Sequence, residues 1–186
     1  MDRYENYYRS VVLAVKAINS TLEPTEVIAA IVEQTVKCMG VRGSTLRLLD
    51  RSGKYLKASA SYGLSRDYLR KGPVEVEKSG VDRLALQGEV VEIEDVCCDS
   101  RFQYPEAAKD EGIVSMLVAP LSTDQRVIGI MRVYTGEKYT FDEAEKEFLN
   151  AISDISALAI ENARLHQALK TDYEMLSAFE NRIFED

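Results

Sequence analysis

The sequence predicts an α+β domain, an antiparallel sheet bracketed by long helices, on three observations. Apolar runs pair across short turns as β-hairpins do, Ser44–Asp50 with Lys54–Gly63 and Ser115–Leu121 with Arg126–Tyr134. Residues 64–114, between the hairpins, break into short irregular pieces punctuated by glycine and proline. Helical periodicity opens the chain, and one long uninterrupted helix follows the last strand. A sheet with a long insertion on one side predicts a pocket, and a long helix leaving it predicts an output.

The opening residues Tyr4, Tyr8, Val11, Val15, Ile18 and Leu22 alternate spacings of four and three, a helical seam. Pro24 starts a second helix, where its missing N–H costs little. Val27, Ile28, Ile31, Val32, Thr35 and Val36 give that helix one broad face before it ends near Gly40. In the first strand Leu46 and Leu48 share one face, and Thr45, Arg47 and Leu49 the other. Asp50-Arg51-Ser52-Gly53 supplies the hairpin turn.

In the middle segment Leu64–Leu69 reads as a short helix broken by Gly72-Pro73. Ser79 is the expected N-cap of a helix from Val81 to Leu86, stopped by Gly88. Val90–Ile93 reads as a short strand, and Asp99 as the cap of a helical stretch from Arg101 to Asp110. The last two strands are apolar on both faces, so both faces of the sheet should be covered, one by helices and the other by the irregular middle.

Thr140 is the expected cap of the final helix, with acids in the first turn and no Gly or Pro from Phe141 to Asp186. Phe148, Ile152, Ile155, Ala159, Asn162, His166, Leu169, Tyr173, Leu176, Glu180 and Ile183 repeat at alternating four and three, a coiled-coil pattern over about five heptads. Its first half should pack on the sheet. Its second half needs a partner helix, most simply from a second copy of the chain. The expected division is therefore a dimerisation helix over 1–22, a domain over 23–165, and a coiled-coil extension over 166–186.

The chain has 186 residues, 46% hydrophobic and 29% charged, with a net charge of −8. That size accommodates one well-filled domain with extensions. The negative charge argues against nucleic acid or an anionic membrane as partner, since both demand clustered positive charge. No apolar run approaches the ~20 residues of a membrane span. The N-terminal residues lack the pattern of a signal peptide, and a cytoplasmic setting is expected. Three cysteines, two adjacent at Cys97 and Cys98, make neither a disulfide framework nor zinc-ligand spacing, so no metal or cofactor is expected.

Val41–Asp50, Ala58-Ser-Ala-Ser-Tyr-Gly-Leu64, Ile93-Glu-Asp-Val-Cys-Cys-Asp-Ser-Arg-Phe102, Gly112–Leu121, Val127-Ile-Gly-Ile130, Phe141 and Ile160-Glu-Asn-Ala-Arg-Leu165 occur in the order and spacing that resembles the GAF domain family. The resemblance implies a profilin-like antiparallel sheet of five to six strands, helices on one face and a ligand pocket on the other. It implies regulatory rather than catalytic work, parallel homodimerisation through the flanking helices, and a bacterial-style signalling chain with a downstream output domain or protein. The specialised branches of the family fit poorly. No cysteine is followed by the histidine that bilin-binding members carry, and the one histidine, His166, lies on the exit helix, which disfavours haem. Cyclic-nucleotide members carry Asn-Lys after the last strand, where this chain has Tyr134-Thr-Gly-Glu-Lys. The surroundings of His166 do not resemble a histidine-kinase phosphorylation box.

Arg47 and Arg132 are charges inside otherwise apolar strands, placed to fork an anionic ligand or to pair with an acid at a sheet rim. Cys97, Cys98 and Phe102 fall in the loop that the resemblance places over the pocket; the thiols are candidates for redox sensing or for plain packing. Ser115 opens the central strand and either points into the pocket or bonds backbone, and Tyr62 and Tyr68 line or cap its edge. The expected function is a sensor binding a small cytoplasmic ligand and signalling through dimeric helices. The alternatives are a ligand-free dimerisation spacer and a thiol enzyme similar to the free methionine sulfoxide reductases, working through Cys97 and Cys98.

Overall fold

The computed structural model describes residues 3–20, 24–124 and 126–184, with side chains described over 3–16, 25–124 and 126–175. The predicted seam positions Ile18, Leu22, Leu176, Glu180 and Ile183 lie outside the described side chains. Helices α1 (Arg3–Ser20) and α2 (Pro24–Met39) lead into β1 (Gly43–Leu49) and β2 (Tyr55–Tyr62). The middle contains α3 (Arg66–Arg70), β3 (Val74–Glu75), a 3-10 turn at Val76–Lys78, α4 (Gly80–Ala85), β4 (Val91–Ile93) and α5 (Pro105–Glu111). The hairpin β5 (Ser115–Ser122) and β6 (Val127–Thr135) precedes the 42-residue α6 (Glu143–Phe184).

One antiparallel sheet of six strands runs in the order β3-β2-β1-β6-β5-β4. This is the predicted α+β class, with both sheet faces covered. Leu46, Leu117, Ala119, Leu121, Met131 and Val133 pack beneath Val27, Ile28, Ile31 and Val32 of α2 and Leu149, Ile152 and Ile160 of α6. Helix α1 joins this layer through Tyr7, which stacks on Phe148 with ring centroids 4.3 Å apart. The opposite face buries Leu56, Ile130, Met116 and Val118 under α3, α4 and the loops around Phe102. Gly129 is required where β6 passes β1: a Cβ there would stand 2.2 Å from the Arg47 carbonyl oxygen.

Several elements differ from the sequence reading, each for a local reason. The cap of α6 is Asp142 rather than Thr140. Its Oδ1 accepts the Glu145 N–H at 3.0 Å while Glu145 Oε2 accepts the Asp142 N–H at 2.8 Å, a reciprocal capping box. Helix α5 begins at Pro105, not Arg101, because Asp99 instead closes a turn on the Arg101 N–H and guanidinium. Strand β3, unread in the sequence, is two residues long and too short to show a period.

The helical seams also divide differently. In α1 the buried residues are Tyr7, Ser10 and Ala14, while Tyr4, Tyr8 and Val15 of the predicted seam face outward. In α6 the predicted seam is buried within the domain itself at Phe148, Ile152 and Ala159, and is exposed at Asn162, His166, Leu169 and Tyr173. The outward face of α6 carries Leu158, Leu165, Leu169 and Tyr173, between 58% and 73% exposed. No described helix is long and apolar enough to cross a membrane.

Candidate functional site

Strand alternation places Arg47 and Arg132 on the face away from the long helices, since their neighbours Leu46, Met131 and Val133 occupy the helical core. Thr45 pairs with Arg132 and Arg47 with Ile130, so the two arginines are diagonal neighbours on adjacent strands, with Cα atoms roughly 7–8 Å apart. A bulge in β2 leaves Ser59 unpaired between the partners of Leu46 and Arg47. Both arginines are 1% exposed.

Their electrostatic situations are opposite. Arg132 grips Asp82 of α4 with two nitrogens, Nε to Oδ1 at 3.0 Å and Nη2 to Oδ2. Asp82 is fully buried and also accepts the Ser79 hydroxyl at 2.5 Å. Ser79 thus stands at the N-cap position of α4, as predicted, but its hydroxyl orients the carboxylate instead of capping a backbone N–H. Burial opposes charge on Arg132, and the Asp82 carboxylate overrides it, holding the guanidinium pKa above its ordinary value. The Phe102 ring lies beside it, 6.0 Å from Cζ to the ring centroid.

Arg47 has no such acid. Its one described hydrogen bond reaches the Leu56 carbonyl at 3.4 Å, at the limit of useful length. Its Nε and Nη2 are buried without a partner, as are Arg132 Nη1 and the Tyr68 hydroxyl. Burial, joined by repulsion from Arg132, pulls the Arg47 pKa below its usual value. The Tyr68 ring meets that of Tyr134 edge-on at 6.1 Å, and the Tyr134 and Thr45 hydroxyls lie 2.9 Å apart. Of two buried guanidiniums only Arg132 thus holds a carboxylate, and three of their nitrogens and the Tyr68 hydroxyl are unpaired.

Lys71, just past α3, adds a third cationic group. Its Nζ donates to the Tyr68 carbonyl at 3.1 Å and lies 3.2 Å from the centroid of the Tyr68 ring. Burial first, then repulsion from Arg47 and Arg132, pushes its pKa down to about 6.

Of the residues singled out in the sequence, Arg47, Tyr68, Phe102 and Arg132 are brought together. The other four stand elsewhere. Tyr62 is 38% exposed at the end of β2, beside Lys37 of α2 on the helical side. Ser115 fixes backbone, its hydroxyl lying 2.7 Å and 3.1 Å from the Glu94 and Glu137 carbonyls and accepting the Tyr139 N–H at 2.8 Å. Cys97 and Cys98 are exposed in the turn after β4, where the Asp95 carboxylate takes the Cys97 N–H and the Cys98 thiol. That hydrogen bond to Asp95, and then its charge, raises the Cys98 pKa, the reverse of thiolate activation. His166 is exposed on α6.

The sequence reading missed Asp82 and Lys71. Asp82 looked like an ordinary first-turn acid of a short helix, and Lys71, after Arg70, like a solvated helix-end lysine. No local signal marks either, since their partners come from distant strands. Among the described residues no cluster of His, Cys, Asp and Glu has metal-binding geometry.

A search of curated proteins finds no match to the sequence. The fold is similar to many solved structures. The GAF domain of a phosphoenolpyruvate-protein phosphotransferase from Coxiella burnetii aligns with a TM-score of 0.77 and 16% identity, covering 88% of this chain and 98% of that one. The corresponding domain from Acinetobacter aligns at 0.74 with 23% identity, covering 89% and 97%. The free methionine-R-sulfoxide reductase from Neisseria meningitidis, in complex with its substrate, aligns at 0.74 with 18% identity, covering 89% and 95%. At the level of sequence, the family model described as a GAF domain matches residues 21–161. With that match across most of its length, the chain belongs to the GAF domain family.

Proposed function

We propose that this chain is a regulatory sensor that binds a small anionic ligand on the Arg47 face of its sheet and transmits occupancy through its flanking helices. The observation that carries the reading is Arg47, a buried guanidinium with two unpaired nitrogens and no acid of its own. An arginine in that state destabilises an empty domain and offers a bidentate hold on a carboxylate or phosphate. A spacer would have no use for it, because an apolar residue there would pack without the desolvation cost. The thiols favour regulation over reductase chemistry, since Asp95 disfavours the Cys98 thiolate.

The output runs through α6, which packs on β5 and continues past the sheet with Leu165, Leu169 and Tyr173 uncovered. A homodimer through these residues and the outward Tyr4 and Tyr8 of α1 would cover them, in a cytoplasmic signalling chain with a downstream output. Coupling requires that the two helix arrangements differ in ligand affinity.

Titration calorimetry and thermal shift against carboxylates, phosphates, nucleotides and amino acids test the reading, with sedimentation in the same buffers. Saturable binding by an anionic class is expected, lost in Arg47→Met while that variant stays folded. A flat response to every anion, or binding that survives Arg47→Met unchanged, would overturn it.

A further inference from the structure

The site holds a second point of attachment. Lys71 Nζ has one neutral oxygen and the faces of two aromatic rings around it, Tyr68 at 3.2 Å and Tyr104 at 5.7 Å to the centroids. The acids nearby are engaged with other groups. Asp82 is held by Arg132 and Ser79, and Glu111 of α5 takes the Ser65 N–H at 2.9 Å and the Ser65 hydroxyl. Lys71 makes no ion pair among the described residues. When Lys71 is protonated, it stands with Arg47 and Arg132 near two carboxylates, Asp82 and Glu111, and neither acid pairs with Arg47 or Lys71 among the described residues.

We propose that the site takes a dianion held at two points, one charge on the Arg47 guanidinium and the other on the Lys71 ammonium, the ligand class being dicarboxylates or phosphomonoesters. The proposal rests on the reading of Arg47 as an anion site. Pairing supports it: the two charges of a dianion meet Arg47 and Lys71 together, whereas a monoanion leaves one of these buried cations without a partner.

A proton linkage comes with it. The groups facing Lys71 are Tyr68 on α3, Tyr104 and Glu111 at the two ends of α5, Asp82 on α4, Arg47 on β1, and Arg132 and Tyr134 on β6. The arginines keep their charge throughout the working range, and burial raises the Tyr68 pKa so that its hydroxyl stays neutral. With its pKa pushed down to about 6 by burial and by the two arginines, Lys71 is mostly neutral in the empty site at pH 7. A negative charge placed beside it reverses that balance, so the dianion enters with a proton. For a dicarboxylate already fully ionised, apparent affinity should fall about five-fold from pH 6 to 7 and about nine-fold from pH 7 to 8, whereas a phosphomonoester, which gains its second charge at about pH 6, should fall less over the first step.

The test is titration calorimetry of the full chain with paired probes: fumarate, malate and succinate, each beside its monoamide, and methyl phosphate beside dimethyl phosphate. Wild type, Lys71→Met and Lys71→Arg are compared from pH 6.5 to 8 in buffers of different ionisation enthalpy. At pH 6.5 a dianion is expected to bind at least about ten-fold tighter than its monoanionic partner, with uptake approaching about one proton as pH rises. Lys71→Met should reduce the dianion to its partner's affinity, and Lys71→Arg should keep the preference but lose the fall with pH. The pair that responds identifies a carboxylate or a phosphate as the ligand chemistry. Equal binding of dianion and monoanion, or a preference that survives Lys71→Met, overturns the proposal and leaves the Arg47 reading standing. Absence of saturable binding by every probe overturns both.

Discussion

Replacing Arg47 with methionine should make the empty protein more stable, an unusual expectation for a residue so deeply buried. Methionine retains an unbranched apolar stem and removes the guanidinium. What is lost is one long hydrogen bond to the Leu56 carbonyl, at most about 1 kcal/mol. What is removed is the cost of two buried, unpartnered nitrogens, about 1–3 kcal/mol each. Repulsion with Arg132 disappears as well, leaving Arg132 and Asp82 as a balanced pair. The net gain is on the order of 1–5 kcal/mol, equivalent to a rise in Tm of roughly 2–20 °C for a domain of this size. Urea denaturation and calorimetry in buffer free of polyvalent anions measure it directly, with the m-value expected to stay unchanged. A loss of more than about 1 kcal/mol would mean that Arg47 is already satisfied in the empty protein, and the argument for an anion site would fail with it.

Asp82→Asn strips Arg132 of its carboxylate and should cost about 3–5 kcal/mol, as should Arg132→Met, whereas the double variant should cost far less than the sum; additive losses would refute the coupling. Lys71 holds its proton less well folded than unfolded, so the unfolded chain binds more protons between about 6 and the ordinary lysine range. Stability of the empty protein should therefore rise with pH from about 6 upward, and the difference between wild type and Lys71→Met, followed by denaturation at several pH values, should show that slope; a flat difference would contradict it. Leu158→Lys together with Leu165→Lys alters side chains 58% and 61% exposed, so Tm should scarcely move while sedimentation shifts from dimer to monomer. Unchanged sedimentation would refute the proposed dimer through this face.

Much of the fold is legible in the residues because it is set by short-range rules. Alternation along β1 assigns Leu46 to the helical core and Arg47 to the opposite face, and the structure keeps that assignment. Branched residues and turn chemistry locate both hairpins within a residue or two. Local competition blurs the caps: Asp142 and Thr140 are both good N-caps, and Glu145 decides between them by reaching back to the Asp142 N–H. In α6 a single helix carries two apolar faces. Only packing on the sheet determines that Phe148, Ile152 and Ala159 turn inward while Leu158 and Leu165 stay outside.

The site divides the same way. The sequence by itself determined that two arginines interrupt apolar strands, because the polarity pattern is a property of neighbours in the chain, while the pairing of β1 with β6 put them on one face. Only the tertiary structure decided that Arg132 is matched by Asp82, fifty positions earlier, that Lys71 comes near enough to feel both arginines, and that Arg47 is left without an acid. It also drew Ser115 into backbone support and left Cys97 and Cys98 at the surface. Charge compensation is a sum over distances in space, and those distances are set by register and by the loops that cover the sheet.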